Sequence, residues 1–522
     1  MTSIINLSGW RRNVLLFLLG VCATLTLAPF YIFPLIIPAY GGLFLLIRNS
    51  KKGKRAFADG WWWGWGFYIS GLYWFCIALL TDPEKFAWAI PPTIFGLNAI
   101  IALYPAIACL LFFHLFIKNQ EYRNNYKIVP VVDCFGFSLI WLLLEYARGH
   151  LFSGFPWNLA GYSFAFSDAS MQAASIFGIY GLTFFTLLLA VTAAIIKNVK
   201  LPAAIIWGMF FCLTIWGYLR IDHTTVESKA VETNTAIRLV QANIQQHHKW
   251  NKDLQKQHLD EHIKLTLSKG IENIDYVIWS ETSIPFPIRS DSGLARYIGK
   301  YLPQHTKLMA GGLRIEQSGD DFNFYNSLII LNNKGSIIDI YDKHILVPFG
   351  EFLPFRSLIP KSWKLPVGDK DFSKGSGVRT IKLDKLPEFS PLICYESIFP
   401  DAAVDITNRP KWLLNITNDA WFGNSTGPYQ HFQMARMRAV EHGVPMVRVA
   451  NTGITAYVNR YGIVQKQIGL SDKGIVDINI NTSESYNTVY FSIYSRINNL
   501  TVSLCIIACV VLGSFFRKLI KY

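Results

Sequence analysis

Seven apolar stretches of roughly bilayer length follow one another in the first 220 residues. They run over about 13–30, 31–47, 61–80, 89–117, 128–146, 175–196 and 201–218. Roughly 280 residues of ordinary mixed texture come next, and an eighth apolar stretch follows at about 500–516. The 522 residues are 51% apolar, a balance that fits a membrane protein carrying a soluble part. The pattern predicts a membrane α-helical bundle of about eight transmembrane helices joined to one α/β domain. Its expected divisions are a seven-helix bundle over 1–219, a catalytic domain over 220–498, and a last helix and tail over 499–522.

Positive charge orients such a bundle, because short basic loops stay in the cytoplasm. Arg11 and Arg12 precede the first stretch; Arg48, Lys51, Lys52, Lys54 and Arg55 follow the second. Lys118, Arg123 and Lys127 follow the fourth, Lys197 and Lys200 the sixth, and Arg517, Lys518 and Lys521 the eighth. These boundary segments hold fifteen cations against only Asp59 and Glu121, a net +13 within a chain whose formal charge is +14. Every second boundary is basic, so both termini are expected inside and the large domain outside. That domain is then nearly neutral, and the basic balance gives no support to nucleic-acid binding. Arg11 and Arg12 with "LGVC" resemble a cleavable leader, but Val21 is a poor cleavage-site residue and six more stretches follow. The first stretch reads as a retained helix.

Seven of the eight cysteines (Cys22, Cys76, Cys109, Cys134, Cys212, Cys505 and Cys509) lie in or beside the apolar stretches. Cys394 stands alone in the exported domain, without a disulfide partner there. Its surroundings alternate strands and helices. Strands are expected at 236–244, 274–281, 307–314, 324–333, 336–343, 390–396, 411–419, 445–451 and 454–460, and helices at 252–269, 291–303 and 429–443. This mixture points to helices covering a sheet. The Pro- and aromatic-rich segment 348–368 reads equally as a surface loop or as a lid dipping into the outer leaflet.

Three of these strands end on chemistry. "VIWSETSIP" places Glu281 past one strand, "IYDKHILVPFGE" places Lys343 past another with Glu351 eight residues on, and "LICYE" places Cys394 and Glu396 at a third. Ligand sites gather where sheet strands end. A thiol attacks acyl groups as thiolate and needs a base, a neighbouring cation and donors for the oxyanion. Glu281, Lys343 and Cys394 can fill those roles. A solvated turn carboxylate, a surface ion pair and an inert buried thiol are the ordinary alternatives.

"WSETSIP", "DKHILVPFGEFLP", "LICYESIFP" and "NDAWFGNSTGPYQHFQMARMRAVEHGVPMVRVANTGITA" resemble the nitrilase superfamily. More narrowly, they resemble its membrane-bound apolipoprotein N-acyltransferase family. "EYARGHLFSGFPWNLAGYS" and "VQANIQQHHKWN" carry the likeness into the membrane part and the domain's opening. The resemblance implies an αββα sandwich and a Glu281–Lys343–Cys394 triad. It also implies supporting positions at Glu351, Tyr395 and Glu396, and a substrate-contacting Trp250. The family pattern often has proline where this chain has Ser280. Trp421 and Phe422 are expected to line the acyl or acceptor path, with ordinary packing as the alternative. Arg148 is expected to meet a phosphate or the domain, or else to snorkel at the interface.

The implied reaction moves an acyl chain through a Cys394 thioester. The donor is a phospholipid, by analogy the sn-1 chain of phosphatidylethanolamine. The acceptor is the α-amine of a diacylglyceryl-cysteine on an apolipoprotein. No cofactor or metal is implied, and a monomer in the bacterial inner membrane is expected. A membrane-tethered amide or nitrile hydrolase with the same triad is the runner-up. A scaffold or transporter with an inert Cys394 is a third reading, for which Glu145 and Asp133 are the ionisable residues inside stretches.

Overall fold

The structure, a computed structural model, describes residues 7–118, 129–221, 234–249, 251–288, 293–354, 356, 370–481, 492–497, 500, 502–503 and 505–507. Internal packing divides the chain into two units. One is Met1–His223 with Val440–His442 and Phe491–Tyr522; the other is Thr224–Ala439 with Gly443–Tyr490.

The first unit is helical. Its helices are Gly9–Thr24, Phe33–Arg48, Gly53–Leu72, Pro83–Ile117, Val129–His150, Ala174–Ala194 and Lys200–Arg220. The last four are each long and apolar enough to cross a membrane. Two boundaries differ from expectation. The third helix starts at Gly53, well before its apolar stretch, because Asp59 inside it is held by Arg55 at 2.7 Å and by Arg12. It then breaks after Leu72, and Phe75–Leu79 forms a separate short helix. The fourth is irregular, with a π-turn at Pro92–Leu97 where Pro91 and Pro92 withhold backbone donors. Helices Gly9–Thr24 and Gly53–Leu72 pack backbone to backbone: a Cβ on Gly20 would lie 2.0 Å from Trp63 O, and one on Gly66 2.1 Å from Phe17 O. Most of the eighth stretch and most of 348–368 lie outside the described residues.

The second unit has two sheets. In the first, β13 (Gly474–Asn481), β1 (Asn234–Gln241), β2 (Tyr276–Trp279), β4 (Lys307–Ser318), β5 (Asp321–Leu331) and β6 (Ile337–Asp342) lie in that order, and β3 (Ile284–Ile288) also pairs with β4. In the second the order is β12 (Val464–Ile468), β11 (Thr455–Val458), β10 (Met446–Ala450), β9 (Trp412–Thr417), β8 (Leu386–Ile393), β7 (Ile381–Leu383). β1, β2 and β4 run parallel, as do β8, β9 and β10.

Strand alternation builds the layers. Ile237, Leu239, Tyr276 and Ile278 meet Trp412, Leu414, Ile416 and Val449 between the sheets. Val240, Val277 and Trp279 face the other way, onto Leu259 and Ile263 of helix Gln255–Thr266 and Ile298 of helix Gly293–Gly299. Leu392, Leu413 and Met446 face Phe432, Ala435 and Ala439 of helix Thr426–His442. Helix, sheet, sheet and helix are therefore stacked in an αββα sandwich.

Candidate functional site

The site gathers at the ends of three strands, two in the first sheet and one in the second. β2 stops at Trp279 and Glu281 follows; β6 stops at Asp342 and Lys343 follows; β8 stops at Ile393 and Cys394 follows. The turn carrying Glu281 needs β4 close beneath it. Gly311 N donates to Ser280 O at 3.2 Å, and a Cβ on Gly311 would sit 2.6 Å from Glu281 Cα, so only glycine fits.

Lys343 is 1% exposed, and Nζ donates to Glu351 Oε1 at 2.9 Å while standing 3.7 Å from Glu281 Oε1. Asn326 on β5 spends its two amide hydrogens on the same carboxylates, 2.8 Å from Glu281 Oε1 and 2.8 Å from Glu351 Oε1. Glu351 Oε2 accepts from Val347 N at 2.8 Å. Burial would strip the Lys343 proton, but Glu351 first and Glu281 next hold this ammonium above the usual lysine range.

Cys394 takes φ +52°, in the left-handed region that a side chain avoids. The chain turns there from β8 into the tight turn Cys394–Ile398, so the thiol leaves the strand on a sharp elbow. Burial pushes the thiol well above its ordinary range and Glu281 adds to that, while Lys343 opposes it. The resting group is therefore a thiol, influenced in opposite directions by the Glu281 carboxylate and the Lys343 ammonium.

Glu396 is fully buried and braces the backbone. Its Oε1 accepts from His344 N at 2.7 Å, and its Oε2 from Ile393 N at 2.7 Å and Tyr341 OH at 3.0 Å. It thus ties the β6 and β8 ends together, Lys343 beside one and Cys394 beside the other. Tyr395 is buried, its ring 5.1 Å from Phe399. Phe422 packs 5.9 Å from the His431 ring, and Trp421 beside it is 37% exposed. Trp250 lies outside the described residues. Arg148, in the helical unit, is 2% exposed; it pairs with Glu145 and donates to Phe155 O and, at 3.0 Å, to Trp157 O. The interface-snorkelling alternative for Arg148 is corrected by that burial.

Sequence reasoning passed over several groups of the site. Lys249, 4% exposed, donates from Nζ to Glu281 O at 3.1 Å. Burial lowers it to about 8, against the opposing pull of Glu281 and Cys394. Behind Cys394, His431 Nε2 stands 3.1 Å from Cys394 O, and Nδ1 stands 2.8 Å from Asp419 Oδ1. Arg448 donates to Asp419 Oδ2 at 2.7 Å. Arg448 and His431 outweigh burial and hold the Asp419 carboxyl well below its ordinary range. Helix Thr426–His442 delivers His431; Ser425 caps its start by accepting from Gly427 N at 3.1 Å, and Gly443 at φ +70° ends it. The sequence signal for this cluster is faint: Gln430, His431 and Gln433 are polar, yet all three are buried.

A thiol, a carboxylate and a buried ammonium at these strand ends can attack an acyl carbon, hold the oxyanion and shuttle one proton. Comparison with known proteins narrows the class. The Carbon-nitrogen hydrolase family matches residues 236–488, and the Apolipoprotein N-acyltransferase N-terminal domain family matches residues 19–192. Apolipoprotein N-acyltransferase of Rhodopseudomonas palustris is 33% identical over 98% of this chain and 96% of its own. That of Brucella suis is 34% identical over 91% of this chain and 90% of its own. The chain belongs to the apolipoprotein N-acyltransferase family. Among solved structures, Nit3 of Saccharomyces cerevisiae, a nitrilase-superfamily member, aligns with TM-score 0.37 at 17% identity, over 51% of this chain and 95% of that one. An apolipoprotein N-acyltransferase joins a membrane part to a nitrilase-type domain, and both are present here: apolar helices in one unit, the αββα sandwich in the other.

Proposed function

We infer that this protein N-acylates bacterial apolipoproteins, and we propose that Cys394 carries the acyl group between donor and acceptor. The observation that carries the reading is Lys343 set between Glu351 at 2.9 Å and Glu281 at 3.7 Å, with Glu396 tying its strand end to the one from which Cys394 leaves on a left-handed elbow. Glu281 takes the Cys394 proton as Sγ attacks the ester carbonyl carbon of a phospholipid, the sn-1 chain of phosphatidylethanolamine. Lys343 Nζ and the N–H of Tyr395 receive the oxyanion. As the tetrahedral species collapses the C–O bond breaks, and Glu281 returns the proton to the lysophospholipid oxygen. The α-amine of a diacylglyceryl-cysteine then attacks the thioester. Its nitrogen loses a proton to Glu281, the C–S bond breaks, and Cys394 is reprotonated.

Glu351, with Asn326, keeps Lys343 in place, and Glu396 holds the elbow. Trp250, Trp421 and Phe422 line the acyl and acceptor path; exposed Trp421 suits an apolar chain. The charge pattern supports eight spans, cytoplasmic termini and a periplasmic catalytic domain in the inner membrane. The protein acts as a monomer, without a metal or cofactor.

Intact-protein mass spectrometry tests the reading. Incubation with phosphatidylethanolamine alone is expected to add one acyl chain, absent in Cys394→Ala and discharged by a diacylglyceryl lipopeptide. An adduct that forms and then hydrolyses with no regard to the lipopeptide would make the protein a tethered hydrolase instead.

A further inference from the structure

We propose that His431 is a positioning residue: its Nε2–H grips the Cys394 carbonyl and thereby aims the oxyanion donor of the following peptide. The inference rests on the acyl-transfer reading of the site, and adds to it a group that touches neither substrate nor thiol.

The argument begins with the peptide plane. Cys394 C=O and Tyr395 N–H belong to one trans peptide, so they point in opposite directions and turn together. Fixing the oxygen fixes the N–H. Two side chains fix that oxygen: Ser397 Oγ donates to it at 2.9 Å, and His431 Nε2 stands 3.1 Å away. A carbonyl oxygen carries no hydrogen, so Nε2 supplies it; Ser397 Oγ, 3.1 Å from Nε2, spends its own hydrogen on the same carbonyl and is a second acceptor for the imidazole N–H. Cys394 itself sits at φ +52°, where an L-residue relaxes unless its surroundings hold it. The grip therefore acts where the backbone has most reason to move.

The rest of the cluster serves the imidazole. Nδ1 faces Asp419 Oδ1 at 2.8 Å and Arg448 Nη2 at 3.2 Å, so it either donates to the carboxylate or accepts from the guanidinium. Burial and Arg448 keep the ring neutral, so the second arrangement, with Nδ1 accepting from Arg448, is the one that leaves the hydrogen on Nε2. Asp419 is fixed in turn by Thr417 Oγ1 at 3.0 Å and Arg448 at 2.7 Å. His431 is 1% exposed, Asp419 and Arg448 fully buried, so water does not compete for these bonds. A ring held from behind by two charged groups, with its far nitrogen on the nucleophile's carbonyl, is preorganised to keep one peptide still through the reaction.

Two amides separate this role from packing. Asparagine places an amide where Nδ1 stood and keeps the Asp419 side; glutamine reaches where Nε2 stood and keeps the grip. Full-length protein in nanodiscs is given phosphatidylethanolamine, or a nitrophenyl acyl ester that needs the same oxyanion donors but no lipid recognition. Cys394 acylation is followed by intact mass, and iodoacetamide alkylation is timed in parallel because it forms no oxyanion.

His431→Asn is expected to slow acylation by either donor about 100-fold while alkylation changes less than about threefold. His431→Gln is expected to recover acylation to within about tenfold of wild type. Acylation by His431→Asn near the wild-type rate overturns the proposal. So does a result in which both variants lose acylation and alkylation in step, the mark of lost packing. If His431→Asn does not fold, Ser397→Ala, which removes the other donor to the same oxygen, is expected to slow acylation about tenfold with alkylation unchanged, and no slowing there overturns the proposal. Wild type that reacts with the nitrophenyl ester but never with the phospholipid defeats the lipid-donor reading alone, and the ester rates then decide the grip. Wild type that reacts with neither defeats both.

Discussion

Asp59 in the helical unit and Lys343 in the sheet unit are inverse images of each other. Asp59 is a fully buried carboxylate between two arginines: Arg12 Nε donates to it at 3.1 Å and Arg55 Nε lies 2.7 Å away. Lys343 is a buried ammonium between two carboxylates, at 2.9 Å and 3.7 Å. The difference lies in the slack. Asp59 meets a partner on every side, Ser50 Oγ included at 3.4 Å. Lys343 is tight to Glu351 and loose to Glu281, and Cys394 beside them has a thiol that burial keeps protonated. A cluster that only holds helices together has no reason to leave a charge short of partners. One that does chemistry must leave room for the charge that the reaction will create.

The predictions attack that contrast in order of their effect on turnover. Cys394→Ala is expected to end acyl-adduct formation altogether, with the thermal midpoint in detergent preserved. Glu281→Gln keeps the Asn326 contact but cannot take a proton, and is expected to slow adduct formation about 1000-fold. Glu351→Gln removes the tight partner and lets Lys343 close on Glu281. If slack is what matters, single-turnover acylation falls about 100-fold although both triad carboxylate and ammonium remain. An unchanged rate in Glu351→Gln would show that the 3.7 Å separation has no part in catalysis.

Lys249 offers a gentler handle. Its folded value of about 8 lies below the lysine range, because burial opposes its charge. Between pH 8 and about 10.4 the unfolded chain therefore holds a proton that the folded chain has released. Stability accordingly rises with pH across that window and is flat in this respect below it. Thermal midpoints of wild type are expected to climb from pH 8 to 10 relative to those of Lys249→Met. Parallel curves would mean that Lys249 is not held out of water. Turnover at pH 7 in Lys249→Met is expected to fall about tenfold, since the Glu281 carbonyl loses its anchor.

The candidate residues Glu281, Lys343 and Cys394 were legible because each follows a strand closely: Trp279, Asp342 and Ile393 close β2, β6 and β8 one or two residues before it, β2 and the end of β8 being buried and apolar while β6 is mixed. The layers were legible for the same reason in the middle of the sheets. The margins were not. β12 alternates weakly, with Gln465, Lys466 and Gln467 all exposed; β3 carries Pro285 and Pro287, which argue against a strand; and β7 spans only Ile381–Leu383. β13 ends in a polar run and gains its place only by pairing with β1, far away in sequence. Lys249, Asn326 and His431 were hidden in a different way. Each is polar within an otherwise unremarkable element, and what makes it part of the site is a bond across 32, 45 or 37 residues that no local period records.

The smallest effect on chemistry is expected from Asp59→Asn, and it tests the saturated half of the contrast. The substitution keeps the shape and removes the charge, so Arg12, 7% exposed, and Arg55 face each other without a counter-ion. Leaving a buried charge unpaired costs about 3–5 kcal/mol, enough to lower the thermal midpoint clearly. Acylation per folded molecule is nevertheless expected to stay within about twofold of wild type, because Asp59 and the site belong to separately packed units. Replacing the central pair together, Arg12→Met with Asp59→Leu, removes both the charge and its complement and is expected to recover most of the lost stability. Arg55, partly exposed in its side chain, can then turn toward water. If Asp59→Asn instead slowed acylation at unchanged stability, its charge would be serving the reaction, and the distinction between saturated and slack clusters would fail at its clearest example.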